Sequence, residues 1–195
     1  MEYHLGIGEE PITIPGGTGV LLLHPSTAAT DRIDTQFLVD DTDRFLVIST
    51  RTTAREVWQK LEFYGIDKEH ASVIDAISVE RGYSRRQRPD VHYLSSPSDI
   101  EGLLEHVDTF LKGNEGKRRI SLDSVTELGY FAGEQRALDA VSALLELLEE
   151  HDAVGLFHLA GGVHGDELID EYRRLFDVII ELDDDGEIEI LTETD

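Results

Sequence analysis

The chain of 195 residues contains no cysteine, which excludes disulfide bonds, cysteine-based zinc sites and thiol catalysis. It also lacks any apolar run of about 18 residues, the length that a membrane-spanning helix needs. The amino terminus, MEYHLGIGEE, shows no basic segment followed by an apolar one, so the sequence predicts no signal peptide. We therefore expect no membrane insertion and predict a cytoplasmic protein.

Basic residues are scarce. The chain has 17 of them, four lysines and thirteen arginines, against 41 acidic residues, and its formal net charge is −24. Such a chain lacks the basic face that phosphate backbones require, which argues against nucleic acid as a partner. Self-repulsion would destabilise it in dilute buffer, whereas molar salt shortens the screening length to about 3 Å. The composition resembles that of cytosolic proteins from haloarchaea; an ordinary acidic bacterial protein is the alternative.

The one basic run is Arg81–Arg88, RGYSRRQR. A charged run of this kind is most simply an exposed loop. A contact for an acidic partner or a neighbouring subunit is the second interpretation.

Hydrophobic residues make up 40% of the chain, enough for a sizeable core, and no linker or repeat divides it. Short β-branched runs alternate with segments of helical periodicity. The runs predict strands over residues 20–23, 45–49, 72–77, 91–94, 119–124, 153–159, 178–182 and 187–191. The periodic segments predict helices over residues 31–40, 53–64, 99–111, 133–150 and 166–175.

This β-α alternation predicts one α/β domain, residues 1–195, in which helices cover both faces of a mainly parallel sheet. The turn Asp183–Gly186 predicts a hairpin between the last two strands, which adds an antiparallel edge. The expected fold is thus a three-layer α/β/α sandwich.

Residues 16–40 have the layout of a nucleotide-binding phosphate loop: a glycine-rich lead-in, an apolar strand, a turn and a helix. A working loop reads G-x-x-x-x-G-K-[ST], in which backbone N–H groups and Lys hold the phosphates and the hydroxyl holds Mg²⁺. Here the segment reads HPSTAATD. The two Gly positions, the Lys and the Ser/Thr are replaced by His24, Ala29, Thr30 and Asp31. The fixed cation is lost, and Asp31 adds a negative charge that opposes a triphosphate.

Six segments in order resemble the RecA superfamily, particularly the KaiC-like ATPases of archaea. They are the glycine-rich lead-in, the phosphate-loop-shaped turn, FLVIST, VIDAIS, RRISLDSVTEL and the terminal EYRRLFDVIIEL, spread over residues 5–191. The resemblance implies a RecA-like domain in which Asp123 is the Walker B acid that positions Mg²⁺. It also implies a catalytic glutamate after the second strand, but residues 49–53, STRTT, contain no acid. Relatives form rings or pair with signalling and motility components, so the resemblance implies a homo-oligomer or a protein partner.

Three losses together, of the Lys, the Mg²⁺ hydroxyl and the general base, predict negligible phosphoryl transfer, because that chemistry depends on positioning and electrostatics. We therefore expect no catalytic residue, cofactor or metal ion, and a non-catalytic protein that acts as a regulatory or assembly module. The alternative is a sensor that binds a nucleotide or another small ligand in the altered crevice. The residues predicted to line this vestigial crevice are His24, Thr27, Thr30, Asp31 and Asp123, with His158 nearby.

Three further patterns have competing interpretations. His158 and His164 flank a glycine pair, which suits loop structure better than a metal site, because their spacing fits no common ligand pair on a helix. Ser26, His158 and Asp123 could form a hydrolase triad, but no G-x-S-x-G segment supports it. Trp58 and Phe63 are either core residues or contacts for another subunit.

Overall fold

The computed structural model describes residues 1–8, 11–27 and 29–192. The strands are β1 (Glu2–Leu5), β2 (Ile12–Pro15), β3 (Gly19–His24), β4 (Arg44–Ser49), β5 (Ala71–Asp75), β6 (Val91–Tyr93), β7 (Arg118–Asp123), β8 (Val154–Ala160), β9 (Val178–Leu182) and β10 (Ile188–Thr192). The α-helices are α1 (Asp31–Val39), α2 (Ala54–Phe63), α3 (Ile100–Gly113), α4 (Val125–Ala132), α5 (Glu134–Glu150) and α6 (Asp166–Arg173). Within these residues, no helix combines the length and the apolarity needed to cross a membrane.

Eight strands form one sheet in the order β10-β9-β3-β8-β7-β4-β5-β6. All neighbours are parallel except β9 and β10, which pair antiparallel at one edge. This arrangement confirms the predicted mainly parallel sheet with its carboxyl-terminal edge hairpin. β1 and β2 form a separate antiparallel hairpin.

Helices cover both faces of the sheet, because alternate residues of each buried strand point to opposite sides. Leu21 of β3 belongs to the core beneath α3, α4, α5 and α6. Val20 and Leu22, its neighbours, belong to the second core, beneath α1, α2 and the β1–β2 hairpin. The predicted three-layer α/β/α architecture is therefore confirmed.

Two elements were not predicted: the β1–β2 hairpin and α4. Ser124 caps α4 by accepting a hydrogen bond from the backbone N–H of Glu127, so the helix begins directly after β7. Gly133, at φ 91°, separates α4 from α5. β5 ends earlier than the strand predicted over residues 72–77. It ends at Asp75 because the backbone N–H groups of Ile77 and Ser78 donate hydrogen bonds to the Asp75 carboxylate.

Candidate functional site

The carboxyl ends of three adjacent strands bring the main predicted site residues together. His24 ends β3, Asp123 ends β7, and His158 lies on β8 between them. The imidazole centroids of His24 and His158 are 5.5 Å apart, in an edge-to-face arrangement. In open parallel sheets this edge is where ligands usually bind.

Asp123 is held by an arginine from the neighbouring strand connection. Arg51 follows β4, and its Nε and Nη2 donate to the two carboxylate oxygens of Asp123 at 2.9 Å and 3.1 Å. Burial opposes the positive charge, but the hydrogen bond and the attraction of Asp123 outweigh it, and the pKa of Arg51 is raised. Such a two-point contact is the strongest form of an Arg–carboxylate pair. Both oxygens of the predicted Walker B acid are thus engaged by the protein itself.

A second carboxylate, Asp34 of α1, lies buried at the centre of the site. Its Oδ1 contacts His158 Nε2 at 2.6 Å and accepts a hydrogen bond from Ser121 Oγ at 3.2 Å. Its Oδ2 accepts a hydrogen bond from Lys60 Nζ of α2 at 3.1 Å. His158 and Asp34 are almost fully buried, so these contacts replace the hydration that both groups lose.

Lys60 joins two acids of α1. Its ammonium lies 3.1 Å from Asp34 Oδ2 and 3.2 Å from Asp31 Oδ1. Burial would lower the pKa of Lys60, but the two carboxylates raise it well above its usual value. The result is a chain of alternating charges that runs from His158 through Asp34 and Lys60 to Asp31.

The pKa directions support this charge assignment. Burial alone would raise the pKa of the Asp34 carboxyl, but His158 and Lys60 hold it far below its usual range. Burial alone would lower the pKa of His158, and Asp34 reverses that effect, so the pKa of His158 is raised. We infer that His158 is an imidazolium paired with an ionised Asp34.

His24 has the opposite character. Burial lowers its pKa, and the repulsion from His158 adds to this effect, so His24 is a neutral imidazole. Its Nδ1 lies 2.8 Å from the Pro25 carbonyl oxygen and is therefore the donor. Its Nε2 is buried and has no hydrogen-bond partner among the described residues.

The other predicted residues of the crevice differ in position. Thr27 is exposed and, with His24, lines a small cleft of 390 Å³ beside Gly161 and Gly162. Thr30 is buried and precedes α1, but its side chain makes no capping hydrogen bond. Asp31 is exposed and pairs with Lys60. The five predicted residues therefore lie around one edge of the sheet.

The charged groups that a magnesium-bound nucleotide would need here already have partners within the protein. Asp123, which would hold the ion, already has Arg51 on both of its oxygens. Lys60, a cation beside the phosphate-loop turn, is held by Asp31 and Asp34. Asp31 stands at the start of α1, where its negative charge opposes a phosphate.

The side chains of His158 and His164 have different partners, and this bears on the metal-site and hydrolase interpretations. His164 Nε2 lies 3.1 Å from Thr126 Oγ1 and its Nδ1 lies 3.4 Å from Glu134, whereas His158 faces Asp34. Among the described residues, no group of three or more His, Cys, Asp or Glu is placed to hold a metal ion. Ser26 is exposed while His158 is buried and bonded to Asp34, and no hydrogen bond between them is found in the described part of the chain.

Sequence reasoning did not find Arg51, Asp34 and Lys60. One of them carried a signal, because Asp34 lies at helical spacing on the buried face of α1, where a charge needs a partner. Lys60 lies beside the buried face of α2, where a lysine is ordinary. Arg51 carried none that could identify Asp123 as its partner, since the two are 72 residues apart.

Solved structures share this fold. The KaiC-like protein PH0186 of the hyperthermophilic archaeon Pyrococcus horikoshii OT3 superposes with a TM-score of 0.62 and 17% identity, over 92% of this chain and 80% of its own. An uncharacterised protein of Pyrococcus horikoshii, PH0321, in complex with an unknown peptide, gives 0.66 and 14%, over 92% and 85%. A type III secretion ATPase of pathogenic bacteria gives 0.65 and 13%, over 95% of this chain and 57% of its own.

At these identities the likeness shows the fold, and it confirms the predicted RecA-like, KaiC-like architecture. No curated protein matches the chain. A family model matches residues 1–192, nearly the whole chain. The chain belongs to the family of unknown function DUF7090.

Proposed function

We propose that this protein is a non-catalytic member of the nucleotide-binding RecA/KaiC-like fold that acts through protein contacts, as a regulatory or assembly module in a salt-rich cytosol. The observation that carries the proposal is the two-point ion pair between Arg51 and Asp123. Arg51 lies in the segment where the resemblance places a catalytic glutamate. A cation therefore stands where a water-activating base would be needed, and it occupies the acid that would bind Mg²⁺.

The charge network of Lys60 supports the same conclusion. Phosphoryl transfer needs unpaired positive charge at the phosphates. Here the nearby ammonium is shared between Asp31 and Asp34, and the turn itself, HPSTAATD, supplies no lysine. Loss of a single such electrostatic contact costs about 3–4 kcal/mol in a transition state, so combined losses leave no useful rate.

Action through protein contacts is supported by aromatic side chains on the surface. Phe63 at the end of α2 is 82% exposed and Tyr130 on α4 is 83% exposed. Trp58 and Phe63 were predicted to be either core residues or contacts for another subunit. Trp58 packs in the core, whereas Phe63 is exposed. Exposed aromatic residues are enriched at protein interfaces. A protein of the same fold from Pyrococcus horikoshii is in complex with a peptide, which is consistent with this role.

ATP hydrolysis by the purified chain in about 3 M KCl, a salt level suited to its charge, tests the proposal. We expect phosphate release equal to that of a buffer blank, for the wild type and for Asp123→Ala alike. Hydrolysis above the blank that Asp123→Ala abolishes would overturn the proposal. A contaminating ATPase would be recognised because its activity survives the substitution.

The alternative, a ligand sensor, is favoured by one observation: the small cleft is lined by His24, whose buried Nε2 has no partner in the described residues. Its test is thermal unfolding with millimolar nucleotides. A ligand at one hundred times its Kd stabilises the fold by about 2.7 kcal/mol. An increase in Tm that His24→Phe removes would support the sensor, and an unchanged Tm with every nucleotide would count against it.

A further inference from the structure

A second cleft, far larger than the one at His24, lies between α2 and the loop of residues 79–90. Its volume is 950 Å³, and we call it the arginine cleft. The lining residues on which the argument rests are Arg55 and Trp58 of α2, Tyr83, Arg86 and Arg88 of the loop, and Tyr93 of β6. The basic run predicted to be an exposed loop is therefore exposed and also forms one wall of this cleft.

The arginines here lack internal partners. Among the described residues, six basic side chains have neither an ion pair nor a hydrogen bond, namely Arg32, Arg55, Arg81, Arg85, Arg86 and Arg174. Four of the six belong to the cleft or to its loop. In a chain with 41 acidic residues, guanidinium groups without an ion pair or hydrogen bond remain available for direct two-point contacts with carboxylates.

Three acids of the described part of the chain line the cleft, and each has a partner within the protein; Glu62 pairs with Lys68 at 2.8 Å. The Glu56 carboxylate accepts hydrogen bonds from the backbone N–H and hydroxyl of Thr53 at 2.8 Å. The buried Asp75 carboxylate accepts hydrogen bonds from the Ala54 and Ser78 N–H groups and from the Ser78 hydroxyl. Within the described residues, the Thr53 and Ala54 N–H groups at the start of α2 are used by these contacts, and the Glu56 N–H donates to the Thr53 hydroxyl.

Aromatic groups complete the cleft. The Arg88 guanidinium lies 4.9 Å above the Trp58 ring, and the Tyr93 hydroxyl bonds to the backbone of Arg86 and fixes the loop. Trp58 Nε1–H is buried and has no acceptor within the described residues. Tyr83 is half exposed. Arginine, tyrosine and tryptophan around one concave surface are the residue types that dominate binding energy at interfaces.

We propose that the arginine cleft binds an acidic peptide segment of a partner protein, whose carboxylates pair with Arg55 and Arg86. A segment with a few carboxylates suits a small group of arginines, whereas the continuous phosphate backbone of a nucleic acid needs a longer basic face. The inference deepens the proposed function, since it rests on action through protein contacts and gives those contacts a place.

The experiment selects ligands from a random peptide library with the full-length protein in about 3 M KCl, then measures the affinity of synthetic peptides. Trp58 is the chain's single tryptophan, so its fluorescence reports binding in the cleft directly. The test variant is Arg55→Gln/Arg86→Gln, and the matched control is Arg174→Gln, another exposed, unpaired arginine on a different helix end. Amide versions of the selected peptides remove their carboxylates alone.

We expect the selected peptides to be rich in Asp and Glu, to change Trp58 emission, and to lose at least about tenfold in affinity with the double variant or on amidation. Arg174→Gln should leave Kd unchanged. Selected peptides without acidic enrichment, or a Kd unaffected by the double variant, would overturn the inference. If a single-stranded oligonucleotide binds more tightly than the peptides, and its binding also depends on Arg55 and Arg86, the ligand is a nucleic acid and the peptide proposal is wrong. If no acidic peptide binds and the protein does not hydrolyse ATP, only this inference is wrong. If the protein hydrolyses ATP and still binds acidic peptides through these arginines, only the proposed lack of catalysis is wrong.

Discussion

Asp34 and His158 lie 124 residues apart in the chain, and their side chains meet at 2.6 Å in the buried layer between α1 and the sheet. The contact connects the helix that follows the phosphate-loop turn to the central strand β8. It also places one negative charge between two positive ones, because Lys60 bonds to the other carboxylate oxygen. Removing the central charge leaves His158 without its counter-charge and leaves Lys60 with Asp31 alone.

We therefore predict that Asp34→Asn lowers the free energy of unfolding by about 3–5 kcal/mol, the usual cost of breaking a buried ion pair from one side. Asp31→Asn is the matched control. Asp31 also pairs with Lys60, but it is more than half exposed, so its loss should cost less than about 1 kcal/mol. Denaturant unfolding at constant KCl measures both. Equal effects of the two substitutions would contradict the central role of Asp34.

The raised pKa of His158 predicts a specific pH dependence. Between its ordinary value of 6.5 and its higher folded-state value, the folded protein binds more protons at this site than the unfolded chain. The stabilisation is therefore complete below pH 6.5 and is lost as the pH rises through the folded-state pKa. The difference in unfolding free energy between wild type and His158→Gln should shrink over that interval. A difference that stays constant or grows with pH would show that the ring is neutral.

Arg51 should stabilise the fold modestly. Its side chain is 40% exposed, so screening reduces the value of its ion pair, and Arg51→Gln should lower the unfolding free energy by about 1 kcal/mol. Arg51→Lys keeps the charge but cannot make the two-point contact, so it should recover only part of the loss. Arg55→Gln, which removes an unpaired arginine nearby, should leave the unfolding free energy unchanged. An equally destabilised Arg55→Gln would mean that net charge, and not the pair, is responsible.

Arg119 of β7 gives a prediction in the opposite direction. Its guanidinium is fully buried between the rings of Tyr3 and Phe37, and only Nη2 finds an acceptor, the His4 carbonyl oxygen. Nε and Nη1 have no partner within the described residues, and burial lowers the pKa of Arg119 to about 10. Arg119→Met keeps the volume and removes the unpaired donors, so the unfolding free energy should be unchanged or higher.

Arg119→Ala separates packing from charge in the same experiment. It opens a cavity beneath the β1–β2 hairpin and should lower the unfolding free energy by about 2–5 kcal/mol. If Arg119→Met destabilises the protein as strongly as Arg119→Ala, the guanidinium itself holds the hairpin in place.

The sequence sufficed for the strands, the helices and the mainly parallel character of the sheet, because these periodicities and their alternation are local signals. The order of the strands, with β8 and β7 between β3 and β4, depends on tertiary pairing and was not predicted. The segment from Ser124 to Glu127 also carried a local signal for α4, a serine cap followed three residues later by glutamate. The predicted helix over residues 133–150 corresponds to α5 alone, so the helix that precedes Gly133 was missed.

The candidate site was predictable in location but not in chemistry. The ends of the parallel strands place His24 and Asp123 at one edge, as expected. The partners of those residues depend on tertiary contacts, since Arg51 reaches Asp123 and Lys60 reaches Asp34 from another connection and another helix. The loss of an acid was visible in the sequence, whereas the gain of a cation acting on Asp123 required the structure.

The Arg51–Asp123 pair has a consequence for how this protein responds to its surroundings. A counter-ion attached to the same backbone cannot be diluted, chelated or exchanged, and it is present at every concentration of free nucleotide and divalent metal. If the protein is non-catalytic, as we propose, this sheet edge keeps its shape whether or not nucleotide is present. A surface of this kind suits a protein whose activity is controlled by its binding partners and not by its own nucleotide hydrolysis.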